Sequence, residues 1–223
     1  MKKPFVIAID GASSTGKSTL AKGLAKALGF PHVDSGAMYR GVTLYVQQHG
    51  LIENKKVKTE TLLSQLDDIH LRFEGDTFWL NGVDVSAEIR SMQVSEAVSL
   101  VAAIPEVRSF LVAQQRIMGA NQSVVMDGRD IGTVVFPKAD LKLFLTADVN
   151  IRAQRRFDEL SAQNASTSVE EVRNNLAERD HLDSTRADSP LVQAADAVPL
   201  DATQFTIESM REHVLDLVAE HLN

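Results

Sequence analysis

The sequence predicts an α/β protein in which a parallel sheet is flanked by helices and interrupted by a small antiparallel insertion. Three observations support this fold class. Short β-rich runs alternate with helical patterns along most of the chain. The first of these runs leads into the pattern G-x-x-x-x-G-K-[ST], and a helical pattern follows it. Between about residues 51 and 90, two β-rich runs joined around Gly75 and Asp76 indicate antiparallel pairing.

The strands of the parallel sheet are predicted from β-rich runs bounded by polar or turn-forming residues. In chain order these runs are FVIAID, FPHVD, SVVMD, DLKLFL and DAVPLD. Within the insertion, the polar helix-like piece TETLLSQLDD precedes the two antiparallel runs IHLRFEG and TFWLNGVDVS. Outside the insertion, the predicted strands should form a parallel sheet, with helices as the crossovers between them.

Helices are predicted from apolar spacing and from their end signals. The first has leucines at helical spacing from Leu20 onward and ends at Gly29. A long helical region from residue 93 to 119 breaks before Pro105, because a residue that precedes proline is disfavoured in helical conformation. Ser168 and Glu171 form a capping-box pattern at the start of another helix. The last helix runs from about 207 to 222.

Length, charge and composition exclude several classes of protein. The chain of 223 residues can form one core, and its net charge of −7 opposes a main role in gripping nucleic acid. It has no cysteine, and its six histidines include no H-E-x-x-H pair, so no structural metal is indicated. The apolar run Phe5 to Ile9 is too short for a signal peptide or membrane span. We expect a monomeric cytoplasmic protein with no membrane and no nucleic-acid partner.

The G-x-x-x-x-G-K-[ST] pattern predicts a loop that holds the phosphates of a nucleotide, and by itself it permits GTPases, motor-type ATPases and kinases of small molecules. Its backbone N–H groups and the following helix N-terminus favour phosphate oxygens. Lys17 is predicted to reach the β- and γ-phosphates and, as a residue facing solvent and ligand, to carry no core packing, while Ser18 helps to hold Mg²⁺. The predicted nucleotide-binding residues are Gly11, Ala12, Ser13, Ser14, Thr15, Gly16, Lys17, Ser18 and Thr19.

Asp127 is predicted to be a second element of the same metal site. It ends the β-rich run SVVMD, and a carboxylate in that position can orient Mg²⁺ or its water. The alternative interpretation is that Asp127 only caps the strand end. The sequence argues against a GTPase, which should carry the guanine-reading motif N-K-x-D. The near match that begins at Asn54 has Val57 where the base-reading carboxylate belongs.

Arginines in three segments indicate that a second phosphorylated molecule is held beside the loop. After Lys142 every basic side chain is an arginine, and arginine grips phosphate oxygens in pairs. The segments DSGAMYR and DGRDIG follow predicted parallel strands and share the sheet edge where ligands collect. The third segment is ERDHLDSTR. Salt bridges on helix surfaces are the alternative interpretation of any one of these arginines.

Taken together, these segments resemble the bacterial-type cytidylate kinases, which belong to the P-loop nucleoside-monophosphate (NMP) kinases. The resemblance covers nearly the whole chain and rests on IDGASSTGKST, DSGAMYR, VSAEIR, SLVAAIPEVR, DGRDIGTVVFP, RAQRR and RDHLDSTR. It implies an NMP-kinase fold and transfer of the γ-phosphoryl group of ATP to CMP or dCMP. It also implies a core (1–50, 91–150 and 187–223), an NMP-binding insertion (about 51–90) and a short lid (about 151–186).

The resemblance assigns roles to individual residues. Ser99, Arg108 and Asp130 match positions that read cytosine, and Asp183 matches a ribose-binding position. Further roles near the acceptor fall on Ser35, Arg40, Arg129 and Arg186. Near the transferred phosphoryl group they fall on Lys17, Arg152, Arg156 and Arg179. A P-loop kinase of UMP or of a non-nucleotide acid, and a nucleotide sensor without turnover, remain as alternatives.

Overall fold

A computed structural model describes residues 3–162 and 167–222. The chain forms two compact units: the sheet unit, Met1–Asp34 with Arg116–Asn223, and the inserted unit, Ser35–Gln115. Four residues of the predicted lid, 163–166, lie outside the described residues. The helices are α1 (Lys17–Leu28), α2 (Ser35–Gln48), α3 (Thr59–Ser64), α4 (Met92–Ala102), α5 (Pro105–Gly119), α6 (Val149–Ala162), α7 (Val169–Thr185) and α8 (Ile207–Leu222). The strands are β1 (Val6–Gly11), β2 (His32–Asp34), β3 (Ile52–Glu53), β4 (Lys56–Val57), β5 (Leu71–Glu74), β6 (Thr77–Leu80), β7 (Val83–Asp84), β8 (Val124–Gly128), β9 (Leu141–Thr146) and β10 (Val198–Asp201).

The sheet unit contains a five-stranded parallel sheet in the order β10-β9-β1-β8-β2. The order places β1, which follows the chain start, at the centre, so β1 and β8 are buried along their whole length. A buried strand must be apolar on both faces, which explains the continuous runs in the sequence. The parallel sheet flanked by helices confirms the predicted fold class.

The core of the sheet unit lies between one face of the sheet and helices α1 and α8. Ile7 and Ile9 of β1 pack there with Leu20 and Leu24 of α1 and with Val214 of α8, all fully or almost fully buried. Burying a side chain of this size contributes about 1.5–3 kcal/mol. This packing fixes α1 against the sheet and therefore fixes the loop between β1 and α1.

The predicted helix ends in the sheet unit are confirmed. Helix α1 ends at Gly29, which has φ 69°, a left-handed conformation that glycine adopts without strain. Helix α7 begins with the capping box, in which Ser168 Oγ accepts from the Glu171 N–H at 3.2 Å. Glu171 Oε2 in turn accepts from the Ser168 N–H at 2.7 Å.

The inserted unit is helical with two small antiparallel sheets. One is the predicted pair β5–β6 extended by β7, and the other is the two-residue pair β3–β4, which the sequence pattern did not indicate. Asn54 and Lys55 join β3 to β4 with φ of 50° and 58°, as a tight hairpin turn requires. The predicted break before Pro105 separates α4 from α5. No helix within the described ranges is long and apolar enough to cross a membrane.

Candidate active site

Two glycines give the loop between β1 and α1 its shape. Any Cβ on Gly11 would collide with the backbone carbonyl of Leu145 on β9, so only glycine fits beside that strand. Gly16 has φ 93° immediately before the first residue of α1, a conformation that residues with a side chain rarely adopt. The two glycines of the pattern therefore allow the tight strand-to-helix turn whose N–H groups can face phosphate oxygens.

Lys17, the lysine of this loop, is buried rather than facing solvent, with 6% of its surface exposed. Our expectation of a solvent-facing lysine was therefore wrong, because the loop folds back over the side chain. Its Nζ donates to the carbonyl oxygen of Ala12 at 2.8 Å. Burial, followed by the positive charge of Arg129, lowers the pKa of Lys17 to about 7, although Asp127 and Asp34 oppose the shift.

Ser18 and Asp127 lie together where the sequence predicts a metal site. Ser18 Oγ donates to Asp127 Oδ2 at 2.6 Å, and His32 Nε2 lies 2.7 Å from Asp127 Oδ1. The hydroxyl keeps its lone pairs after donating its proton, so one hydroxyl and one carboxylate oxygen are available to a cation. Mg²⁺ prefers oxygen ligands, and in nucleotide sites it is usually held by one or two protein oxygens together with the phosphates of the substrate. Across the described residues, no three His, Cys, Asp or Glu side chains cluster to form an all-protein metal cage.

The segment after β8 is fixed to the end of β1 by Asp10. Its two carboxylate oxygens accept from the N–H groups of Ile131 and Gly132, each at 2.7 Å. Burial raises the pKa of Asp10 to about 6, although these two hydrogen bonds act to lower it. The negative charge of Asp130 raises the pKa further. Asp130 is itself buried, and its backbone carbonyl accepts from Val134 at 2.8 Å at the start of a π-helical turn.

Arg129 and Asp183 form a largely buried ion pair within the sheet unit, with side chains 17% and 7% exposed. Arg129 Nε donates to Asp183 Oδ2 at 2.8 Å, and Arg186 Nη1 lies 4.0 Å from Asp183 Oδ1. Burial opposes ionisation of Asp183, but the charges of Arg129 and Arg179 outweigh it and hold the pKa of this carboxyl below its usual range. The structure thus brings four sequence-predicted residues, Arg129, Arg179, Asp183 and Arg186, into one electrostatic network.

Helix α6 directs two of its arginines to the phosphate-binding loop. Arg152 Nη1 lies 3.3 Å from the Ser13 carbonyl and 2.7 Å from Asp180 Oδ2 on α7. Arg155 Nη1 donates to the Thr15 carbonyl at 3.4 Å. Arg156 instead pairs at 3.0 Å with Glu159, one turn along its own helix.

The inserted unit holds the other sequence-predicted residues. Ser35 and Arg40 belong to α2, Ser99 to α4 and Arg108 to α5; Ser35, Ser99 and Arg108 are each at most 5% exposed. The Arg108 guanidinium lies 5.3 Å from the ring centre of Tyr39, and its Nη1 donates to the Ala102 carbonyl at 3.3 Å. A buried serine hydroxyl and a buried guanidinium can both read hydrogen-bonding groups on a ligand.

Sequence reasoning missed Asp10, His32, Arg155 and Asp180. Asp10 lies in IDGASSTGKST and Asp180 in RDHLDSTR, but nothing in their spacing identifies their partners. His32 could only have been found from the strand order, because the contact with Asp127 depends on β2 lying beside β8.

The fold and this site define the class: a P-loop protein with an arginine-rich site beside the phosphate-binding loop. Residues 7–220 match the model of the family described as cytidylate kinase. The chain is 52% identical to a cytidylate kinase of Parabacteroides distasonis, over 96% of each chain. It is 50% identical to a cytidylate kinase of Flavobacterium psychrophilum, over 97% of this chain and 98% of the other. The chain belongs to the cytidylate kinase family.

A solved structure supports the fold independently. The crystal structure of an uncharacterized protein from Eubacterium ventriosum matches with a TM-score of 0.51 at 11% identity, over 98% of this chain and 99% of the other. At this identity the likeness concerns the fold alone.

Proposed function

We propose that the protein is an ATP-dependent (d)CMP kinase, which transfers the γ-phosphoryl group of ATP to CMP or dCMP. The observation that carries this function is family membership over nearly the whole chain. The geometry agrees with this function, since the loop that contains Gly11, Gly16 and the buried Lys17 lies in the same unit as the network formed by Arg129, Arg179 and Arg186 around Asp183. ATP is the donor, and the products are ADP with CDP or dCDP.

The reaction needs alignment and charge neutralisation more than proton transfer. An oxygen of the CMP phosphate forms a bond to the γ-phosphorus of ATP, and the bond from that phosphorus to the β–γ bridging oxygen breaks as ADP leaves. The attacking oxygen is already an anion, so no general base is required. Lys17, Arg152, Arg156 and Arg179 are proposed to stabilise charge on the transferred group.

Ser18 and Asp127 are proposed to hold Mg²⁺, because their oxygens lie together at the end of β8 and the start of α1. When bound, the ion supplies charge neutralisation on the β- and γ-phosphates. The loop from Gly11 to Thr19 is proposed to bind the ATP phosphates.

On the acceptor side, Ser99, Arg108 and Asp130 are proposed to read cytosine, and Asp183 to bind the ribose. Ser35, Arg40, Arg129 and Arg186 are proposed to contact the phosphate and sugar. Residues 151–186 are proposed to act as a lid that excludes water, and the insertion to hold CMP. We also propose that the protein acts as a monomer in the cytoplasm.

The deciding experiment measures ADP release from ATP with CMP, dCMP, UMP, AMP and GMP as separate acceptors. We expect rapid release with CMP and dCMP and a far lower kcat/KM with the others. A higher kcat/KM with UMP, AMP or GMP than with CMP would overturn the substrate assignment. Binding of ATP with no product from any monophosphate would leave a nucleotide sensor instead.

A further inference from the structure

His32 lies against the proposed metal-site aspartate from the neighbouring strand. Its Nε2 is 2.7 Å from Asp127 Oδ1, and the side chains are 14% and 2% exposed, respectively. An ionised carboxylate only accepts hydrogen bonds, so Nε2 carries the hydrogen in this contact. The pair is therefore a nearly buried hydrogen bond, which in a low-dielectric environment is strong and costly to break.

The register of the parallel strands explains why this histidine reaches Asp127. His32 is directly opposite Val125, and Asp34 is opposite Asp127 two residues further along. Side chains two residues apart in a strand share a face, so His32 and Asp127 lie on the same side of the sheet. Val125 packs on that side with Leu20 and other residues of α1, the helix that carries Ser18.

The Asp127 carboxylate is held at both oxygens by different elements. Ser18, on α1, donates to Oδ2 at 2.6 Å, while His32, on β2, holds Oδ1. The terminal torsion of an aspartate is broad, so one hydrogen bond leaves the carboxylate plane free to turn. Two donors on opposite oxygens fix that plane, and each oxygen keeps a further lone pair for another partner.

We propose that His32 is a positioning residue of the kinase reaction, which sets the orientation of Asp127 toward Mg²⁺ and thereby strengthens metal-dependent binding of ATP. The inference rests on the proposed metal role of Ser18 and Asp127. Side chains that orient a metal ligand from behind typically change metal affinity or activity by roughly 10–100-fold when they are removed. The contact with Asp127 is the route by which His32 would act on the metal site.

The test compares binding of adenylyl imidodiphosphate, a non-hydrolysable ATP analogue, with Mg²⁺ and in EDTA by calorimetry. The ratio of the two dissociation constants is the metal-dependent gain. We expect His32→Leu to reduce this gain by about tenfold, the lower end of the range for such residues, and to leave the EDTA affinity unchanged. His32→Gln, whose side-chain amide can donate from a similar distance, should keep most of the gain. In steady state, kcat should fall in His32→Leu while KM for CMP stays constant.

His221→Leu is the matched control, because His221 is exposed near the chain end and its Nδ1 contacts only the Leu217 carbonyl of its own helix among the contacts described.

Asp127→Asn separates the inference about His32 from the proposed metal site. If Asp127→Asn lowers the gain and His32→Leu leaves it within twofold of the parent, the inference about His32 is overturned and the metal site stands. If Asp127→Asn leaves the gain unchanged, the metal site itself is wrong. Loss of the gain in His32→Gln as large as in His32→Leu would also refute hydrogen-bond positioning. If His32→Leu does not fold, His32→Met, which also lacks a hydrogen-bond donor, takes its place in the comparison with His32→Gln.

Discussion

We predict that nucleotide binding depends on pH through Lys17, the buried lysine of the phosphate-binding loop. Burial and the charge of Arg129 lower the pKa of Lys17 to about 7, so near neutral pH the side chain is half neutral. A phosphate bound against the ammonium adds negative charge and raises this pKa again. Binding therefore favours the protonated lysine, and affinity falls as rising pH removes the proton. Between pH 6 and pH 8 we expect a loss of about tenfold, or about 1.4 kcal/mol.

Calorimetry in buffers of different ionisation enthalpy measures the same linkage directly. With a pKa of about 7, binding of adenylyl imidodiphosphate with Mg²⁺ at pH 7.5 should take up about three-quarters of a proton at Lys17. Phosphates titrate with a pKa near 6, so Lys17→Met in the same buffers supplies the background. A parent affinity that is flat from pH 6 to pH 8, or proton uptake that persists in Lys17→Met, would refute the assignment.

The same substitution tests the cost of burying the charge. The pKa of Lys17 is lower in the folded protein than its usual value of 10.5, so the unfolded chain binds more protons between pH 7 and pH 10.5. The free energy of unfolding should therefore rise with pH across that window. Below pH 7 the folded protein bears the full free-energy cost of burying the charged Lys17 side chain. Lys17→Met should therefore raise the free energy of unfolding at pH 6 by several kcal/mol, on the order of 3–5, while abolishing phosphoryl transfer. Urea denaturation without nucleotide at pH 6 and pH 9 measures this; an unchanged or lower stability at pH 6 contradicts it.

Three further substitutions probe the rest of the site and fold. Arg156→Ala should lower kcat by far more than it raises KM for CMP, since the proposed role of Arg156 is in the transition state. Glu159→Gln, which removes the ion-pair partner of Arg156, should have little effect on kcat. Equal losses of kcat in the two variants would indicate that Arg156 has a structural role. Asp130→Asn should narrow the CMP/UMP ratio of kcat/KM by at least about tenfold, because an amide can donate to the uracil carbonyl; an unchanged ratio would remove Asp130 from base reading. Ser168→Ala should lower the free energy of unfolding by about 1 kcal/mol, seen by urea denaturation, through loss of the cap on the Glu171 N–H; no loss would mean that this cap adds nothing to stability.

Local signals in the sequence were sufficient for the elements of the sheet unit. The apolar runs predicted all five parallel strands, and the end signals at Gly29 and Ser168 predicted helix ends that the structure confirms. These features depend on residues at most a few positions apart, which sequence patterns record. The two-residue strands β3 and β4 are too short to give an alternating pattern, so the hairpin at Asn54 was missed.

The partners of the charged residues depend on tertiary structure, and no spacing rule identifies them. Asp127 and His32 are 95 positions apart, and Arg129 and Asp183 are 54 apart. Which carboxylate meets which cation follows from the strand order and from the packing of α6 against α7. The burial of Lys17 is of the same kind, because the charged groups around it, such as Arg129 and Asp127, come from distant parts of the chain.

The concentration of buried charge at this end of the sheet is better explained by ligand binding than by stability. Buried ion pairs seldom stabilise a fold relative to apolar side chains, because desolvation offsets their attraction. Here Arg129 and Arg179 also lower the pKa of Lys17, so the cations oppose one another as well. A polyphosphate carries several negative charges, and these charges can offset such a group of cations. On this explanation, the stability that Lys17→Met gains should be accompanied by a loss of affinity for Mg²⁺-bound nucleotide. If the buried cations served the structure alone, Lys17→Met would change stability and leave that affinity unchanged.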